Sequence, residues 1–167
     1  LVYCGSEAAL TIGDAAATSF TYFNRVEELE ISITPAGPNA VGLLLGPQLY
    51  GDLCRIRITS QNQFPHDTNQ QVGLLTRGGD LARHSFGAYV NWWGCQVSGR
   101  FKRGVWMTAD GSGWGFNSCL FQGGAIVYAS LTPTPEAAPA GYGYTGFHLE
   151  QGNQNVLSLV DVENYDV

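Results

Sequence analysis

Three carboxylates, Asp80, Asp110 and Glu150, fall in turns that follow similar stretches of sequence, and three groups suited to holding a sugar, Arg77, Trp106 and Trp114, lie near them along the chain. Glycoside hydrolysis uses two carboxyl groups about 5–9 Å apart, one protonated to assist the leaving oxygen and one ionised as base or nucleophile. If those stretches stack as neighbouring strands, groups at like positions come within roughly 5–12 Å of one another, which is the required scale. In WMTADGSGWG, Trp106 and Trp114 flank a Gly-rich turn that carries Asp110 and Ser112. Aromatic faces beside hydrogen-bonding side chains suit a sugar. Acidic groups in turns are most often merely solvated, and a buried or subunit-covered Trp competes with the sugar platform, so both readings stand open.

Other chemistry leaves weaker marks. A β-elimination site would need a cation to neutralise a uronate and a base to take the α-proton. Arg77, Arg83 and His84 have the right types, but no spacing selects them. Asp161, Glu163 and Asp166 form a second acidic group, which reads as an outward polar face. His66, His84 and His148 are far apart and match no ligand pattern, and no serine elbow, phosphate loop or dinucleotide fingerprint occurs. No metal or cofactor is expected. Cys4, Cys54, Cys95 and Cys119 contain no C-x-x-C pair.

The elements that must position these groups are visible as a repeat. Gly42, Gly73, Gly104 and Gly146 each precede alternating apolar residues, at intervals of 31, 31 and 42. The longer interval contains TPTPEAAPAGYGY (Thr132 to Tyr144), read as a loop inserted at about 131–145. The first and third residues after each Gly, Leu43/Leu45, Leu74/Thr76, Val105/Met107 and Phe147/Leu149, are expected to point inward. Leu44, Leu75, Trp106 and His148 should then form an outward ladder. Two leucines and a Trp on an outer face point to a subunit contact or a covering loop, with a sugar platform as the lesser alternative. A second run of alternation follows each unit, placing Cys54/Ile56/Ile58, Trp93/Cys95/Val97 and Cys119/Phe121 inward and Trp92 outward, and Leu29/Ile31/Ile33 mark an earlier copy. The three cysteines then read as small buried thiols in one core stack, and Asn91, Asn117 and Asn155 as left-handed turn residues or partners of neighbouring backbone.

Strands that recur at a fixed interval bury their apolar faces by stacking on their own copies. The expected fold is therefore all-β, a right-handed parallel β-helix (solenoid) of about five coils, in a single domain over residues 1–167 that reads as part of a longer chain. High Gly content (22) and only 13% charged residues agree with many short strands and tight turns. A net charge of −6 without a Lys/Arg run argues against nucleic acid, and no apolar run is long enough for membrane insertion as a helix.

The segments GLLTRGGD…FGAYVNWWGCQVSG, GVWMTADGSGWGFNSCLFQGGAI and GFHLEQGNQNVLSLVDVEN, from about Val41 to Val167, resemble coils of the pectate-lyase-like superfamily, most closely bacteriophage tailspikes and depolymerases. The resemblance implies a homotrimer on a virion tail or in the extracellular space. It would bind a bacterial surface polysaccharide and in many such proteins cleave it. A free-standing polysaccharide lyase or glycoside hydrolase and a non-catalytic structural shaft are the alternatives. The superfamily has no shared active-site motif, so no residue inherits a role from it.

Overall fold

The computed structural model describes residues 1–13, 21–22, 24–77, 87–108, 116–128, 137–150 and 155–166. Asp80, Asp110 and Trp114, with Arg83, His84 and the first part of the expected insertion, lie outside them. The described chain is all-β, and every strand pairing is parallel. The first sheet runs β1 (Ala8–Ile12), β5 (Val41–Leu45), β9 (Val72–Arg77), β13 (Arg103–Thr108) and β16 (Thr145–Leu149). A second is built from two-residue strands, β2 (Thr21–Tyr22), β6 (Gln48–Leu49), β10 (Gly87–Ala88) and β14 (Phe116–Asn117). The third has two columns: β3 (Arg25–Glu27), β7 (Asp52–Cys54) and β11 (Asn91–Trp93) in one, β4 (Glu30–Ser32), β8 (Arg57–Ser60) and β12 (Gln96–Gly99) in the other. The longer β15 (Leu120–Tyr128) pairs along both columns, and β17 (Val156–Glu163) pairs with β15.

Register converts the sequence repeat into columns of like side chains. Leu10, Leu43, Leu74, Val105 and Phe147 are in line in the first sheet, facing Ile31, Ile58, Val97 and Ile126 in the third. The column Leu53, Trp92 and Phe121 completes the core, with the Trp92 and Phe121 rings stacked at 5.4 Å and Phe147 meeting Phe121 edge-on at 5.1 Å. Of the residues expected inward after each Gly, Leu149 departs: it is 44% exposed, on a strand that pairs on one side only. Thr76 is buried as expected, and its Oγ1 has no hydrogen-bond partner among the described residues.

The repeated glycines are explained by space. A Cβ on Gly73 would stand 2.2 Å from Val97 Cγ1 and 2.6 Å from the Gly104 carbonyl oxygen. Gly42, Gly104 and Gly146 meet Ile58, Ile126 and Val162 in the same way. The first and third sheets approach closest along this column, where only a residue without a side chain fits.

The two columns of the third sheet are joined by a bend that reverses the alternation. Glu28, Arg55, Gly94, Gly123 and Leu159 all have φ between 52° and 62° and occupy the same place in successive copies. One left-handed residue shifts the period-2 pattern by a step, so inward alternation extended from Val97 back through Cys95 to Trp93 fails at Gly94. Trp92 is therefore the buried residue and Trp93 the exposed one, opposite to the expectation. The cysteines are separated by register. Cys54 is in register with Trp93, Cys95 sits after the bend beside Gly124, and Cys119 precedes β15, so they do not form one stack. A second left-handed column comprises Tyr50, Tyr89 and Ser118, not the asparagines. Asn155 instead accepts the Cys119 backbone N–H at 3.0 Å, and Asn91 donates to Asp52 at 3.1 Å.

All four cysteines are free. Burial pushes the Cys95 and Cys119 thiols up to about 11, leaving on the order of one part in a thousand as thiolate at pH 8. Iodoacetamide applied to the native protein at pH 8 is expected to label exposed Cys4 well before Cys95 and Cys119, which should react fully only in denaturant. Equal labelling rates in peptide mass mapping would contradict the burial of these two groups.

The connection from the third sheet back to the first, residues 61–71, is held by buried polar side chains. Gln71 Oε1 accepts from Ser60 Oγ at 2.5 Å and Asn62 Nδ2 at 2.7 Å, while Gln71 Nε2 donates to the Gly37 and Ala36 carbonyls at 2.9 and 3.3 Å. Asn62 and Asn69 both donate to the Arg100 carbonyl, at 3.0 and 2.7 Å. The end of the expected insertion packs here. Tyr144 is fully buried against Tyr128 and lies 3.1 Å through its hydroxyl from His66 Nδ1, with Arg100 3.4 Å from the same nitrogen.

Candidate functional site

The outer side of the first sheet gathers the chemistry. Strand alternation sends Leu44, Leu75, Trp106 and His148, which share one register position, away from the main core. The outward direction is as expected, but the exposure is not: Leu44 and Leu75 are each only 7% accessible and form a small second apolar cluster with Val72, against which Trp106 packs. The leucines are thus no open ladder, and Trp106 and His148 are the partly exposed end of the row.

Two positions further on, Arg77 pairs with Thr108, and Glu150 follows Leu149, the register partner of Met107. Arg77 and Glu150 therefore flank β13 from the two adjacent strands, about 10 Å apart at the backbone. Glu150 turns back over the sheet, where its Oε1 accepts a hydrogen bond from Trp106 Nε1 at 2.9 Å and lies 3.6 Å from His148 Nε2. The Arg103 guanidinium covers the indole at 4.2 Å from the ring centroid, and the His148 ring meets it edge-on at 6.2 Å. The indole is consequently fixed by a cation on its face, a carboxylate at its N–H and an imidazole at its edge. Beside it opens a cleft of about 290 Å³ lined by Leu75, Arg77, Trp106 and Thr108.

The sequence candidates divide accordingly. Trp106, Arg77 and Glu150 are brought together, while Asp80, Asp110 and Trp114 fall outside the described residues, as does any carboxylate pair they would make with Glu150. His66 is held in the Arg100–Tyr144 network, away from the cleft residues. Asp161 and Glu163 are exposed neighbours on β17, and a hydrogen bond and charge from Asp161 raise the Glu163 carboxyl above its ordinary range. Asp166 is engaged elsewhere, accepting the Gly141 N–H at 3.0 Å. Among the described residues no three His, Cys, Asp or Glu side chains are grouped as metal ligands.

Sequence reasoning placed His148 beside Trp106 on one outward row but missed Arg103 as a partner of the indole. The spacing Arg103-x-x-Trp106 crosses the Gly104 position, where the strand departs from plain alternation, and so a period of 2 assigns the two residues to opposite faces.

Compared with models of known protein families, with characterised proteins and with solved structures, the chain matches none.

Proposed function

We propose that the chain is a stretch of right-handed parallel β-helix from a trimeric, tailspike-type protein, and that the outer face of its first sheet recognises an acidic bacterial surface polysaccharide. The β-helix reading is supported by strands that return to the same sheets in the same order, in parallel, at the 31-residue interval linking Val41, Val72 and Arg103. Parallel crossovers are right-handed in nearly all proteins, which supplies the hand. The trimer and the virion rest on the sequence resemblance.

The observation that carries the binding reading is the Trp106 cleft. A chain of net charge −6 places two guanidinium groups, Arg77 and Arg103, beside one fixed indole, with Thr108 and Glu150 at its margin. Cations meet uronate or other acidic groups, the indole and Leu75 meet sugar C–H surface, and the hydroxyl and carboxylate bond sugar hydroxyls. Cleavage is a second reading, favoured by the placement of Glu150 against both the N–H of the cleft-lining indole and an imidazole.

Binding to uronate-containing capsular polysaccharides, followed by biolayer interferometry, tests the proposal. Affinity should weaken as salt rises from 50 to 500 mM, because exposed charges are then screened. Trp106→Ala should weaken it about 10–30-fold, as expected for loss of a central aromatic contact. Absence of binding across a capsule panel, or binding unchanged in Trp106→Ala, rejects the recognition reading and leaves a structural shaft. New reducing ends that disappear in Glu150→Gln would establish cleavage, with ultraviolet absorbance of an unsaturated uronate marking a lyase. A monomer by light scattering at micromolar concentration would overturn the trimer.

A further inference from the structure

A second ligand site lies on a different face and does not depend on the Trp106 cleft. Trp93 is in the third sheet, with Cys54 and Gln122 as its register neighbours on the two adjacent strands, and its side chain is 56% exposed. It stands in a groove of about 320 Å³, near the lower end of the range for small-ligand sites, roughly 300–1,000 Å³. The next residue back, Trp92, is buried and stacked on Phe121, so the strand that presents Trp93 is anchored from beneath.

The groove wall is mixed, with Leu53, Cys54 and Leu120 set among polar groups. Asn91 and Asp52 occupy neighbouring strands in register, and Asn91 Nδ2 donates to Asp52 Oδ1 at 3.1 Å. That bond orients both groups, leaving the Asn91 carbonyl, one amide N–H and the second Asp52 oxygen as ordered partners for a ligand. Gln122 adds a second amide on the other side of Trp93. The nearby cations are already matched: Arg25 pairs with Glu27 at 3.0 Å and Arg55 with Glu28 at 2.6 Å. With Asp52, the local balance is one negative charge.

From this we infer that the Trp93 groove binds a neutral hexose unit, the indole packing against the C–H face of the ring while Asp52, Asn91 and Gln122 bond its hydroxyls. The charge balance disfavours a uronate, in contrast to the arginine-flanked Trp106 cleft. A protein partner fits less well, because interface cores are contiguous and apolar, whereas the surface around Trp93 alternates apolar residues with Asp52, Asn91, Gln122 and Arg25. A polymer containing both neutral and acidic sugars would engage the two faces with different residues.

Saturation-transfer NMR on the whole chain, with maltose, lactose, cellobiose and melibiose as neutral probes and cellobiouronic acid as the acidic one, tests the assignment. At least one neutral disaccharide should show transfer to its ring C–H protons and bind at millimolar strength or better. Trp93→Ala should reduce that affinity at least 10-fold and Asp52→Asn about 3–10-fold, while Trp93→Phe keeps a measurable part. Trp93 is exposed, so the Trp93→Ala melting temperature should stay close to that of the parent, and Trp106→Ala should leave neutral-sugar binding unchanged. Silence from all four neutral probes, stronger transfer to the acidic one, or signals undiminished in Trp93→Ala overturns the proposal. So does a change in oligomeric mass in Trp93→Ala, which would make this face a subunit contact. Because Trp106→Ala and Trp93→Ala affect different probes, failure at one site is distinguishable from failure at the other.

Discussion

Gly73→Ala is expected to leave little folded protein at 37 °C. The added methyl would stand 2.2 Å from Val97 Cγ1 and 2.6 Å from the Gly104 carbonyl oxygen, both far inside contact distance. Val97 is buried with a stiff, β-branched side chain, and the carbonyl belongs to the neighbouring strand of the same sheet, so neither can retreat locally. The sheets must separate, which exposes the columns built on Leu43, Leu74 and Val105. Overpacking alone costs about 1–3 kcal/mol, and separation of packed columns adds to it, against a total of about 5–15 kcal/mol for a domain. Urea denaturation followed by circular dichroism measures the loss. The double variant Gly73→Ala/Val97→Ala should recover only part of it, since the Gly104 oxygen remains in the way. A melting temperature for Gly73→Ala within 2 °C of the parent would refute the close-approach account of the glycine repeat.

The second large effect is expected at Gln71. It ties the 60–62 segment to the Ala36 and Gly37 carbonyls through one fully buried amide. Gln71→Leu keeps much of the volume but strips partners from Ser60 and from two carbonyls, each loss costing about 1–3 kcal/mol, so roughly 3–9 kcal/mol in all. Gln71→Glu separates polarity from shape. Its carboxylate would face carbonyl oxygens without a cation to offset the charge, raising its folded-state pKa above the unfolded value near 4.3. A raised acid pKa means that the folded state holds the proton longer, so this variant should be most stable below about pH 4 and lose stability as pH rises through the raised value. Urea midpoints at pH 4 and pH 8, each referred to the parent at the same pH, supply the comparison. A Gln71→Glu deficit that does not grow with pH would show that the amide contacts are not what holds this connection.

The two outer faces differ in the charged groups that surround their tryptophans. On the first sheet the Arg103 guanidinium covers Trp106, Arg77 lines the adjoining cleft, and Glu150 accepts the indole N–H. On the third sheet Arg25 and Arg55 are consumed by Glu27 and Glu28, and Asp52 remains beside Trp93. Net charge of the whole chain, the only electrostatic quantity available from composition, is blind to this difference.

Much of the sheet pairing was legible in the sequence because the feature that repeats is also the feature that packs. A parallel stack places like residues over like, so the 31-residue spacing of Gly42, Gly73 and Gly104 reads directly as strand register, and Leu43, Leu74 and Val105 as one inward column. The association of Arg77, Trp106 and Glu150 followed from the same spacing, since residues an even number of positions after the glycines end on one face. Trp92 and Trp93 could not be assigned that way. Their orientation depends on a left-handed residue at Gly94, and in three of the other copies that conformation is taken by Glu28, Arg55 and Leu159, types that do not signal it. The cysteines fall at three different register positions, and their spacings from the preceding glycines differ as well. Nor could the exposure of Leu44 and Leu75 be read, because alternation gives the direction of a side chain and not what lies over it. The sequence by itself determined which residues share a column, through the period of its glycines and apolar residues. Tertiary structure alone decided which side of the bend each column faces and which charges are already paired there, because backbone handedness at one residue and long-range ion pairs leave no periodic trace.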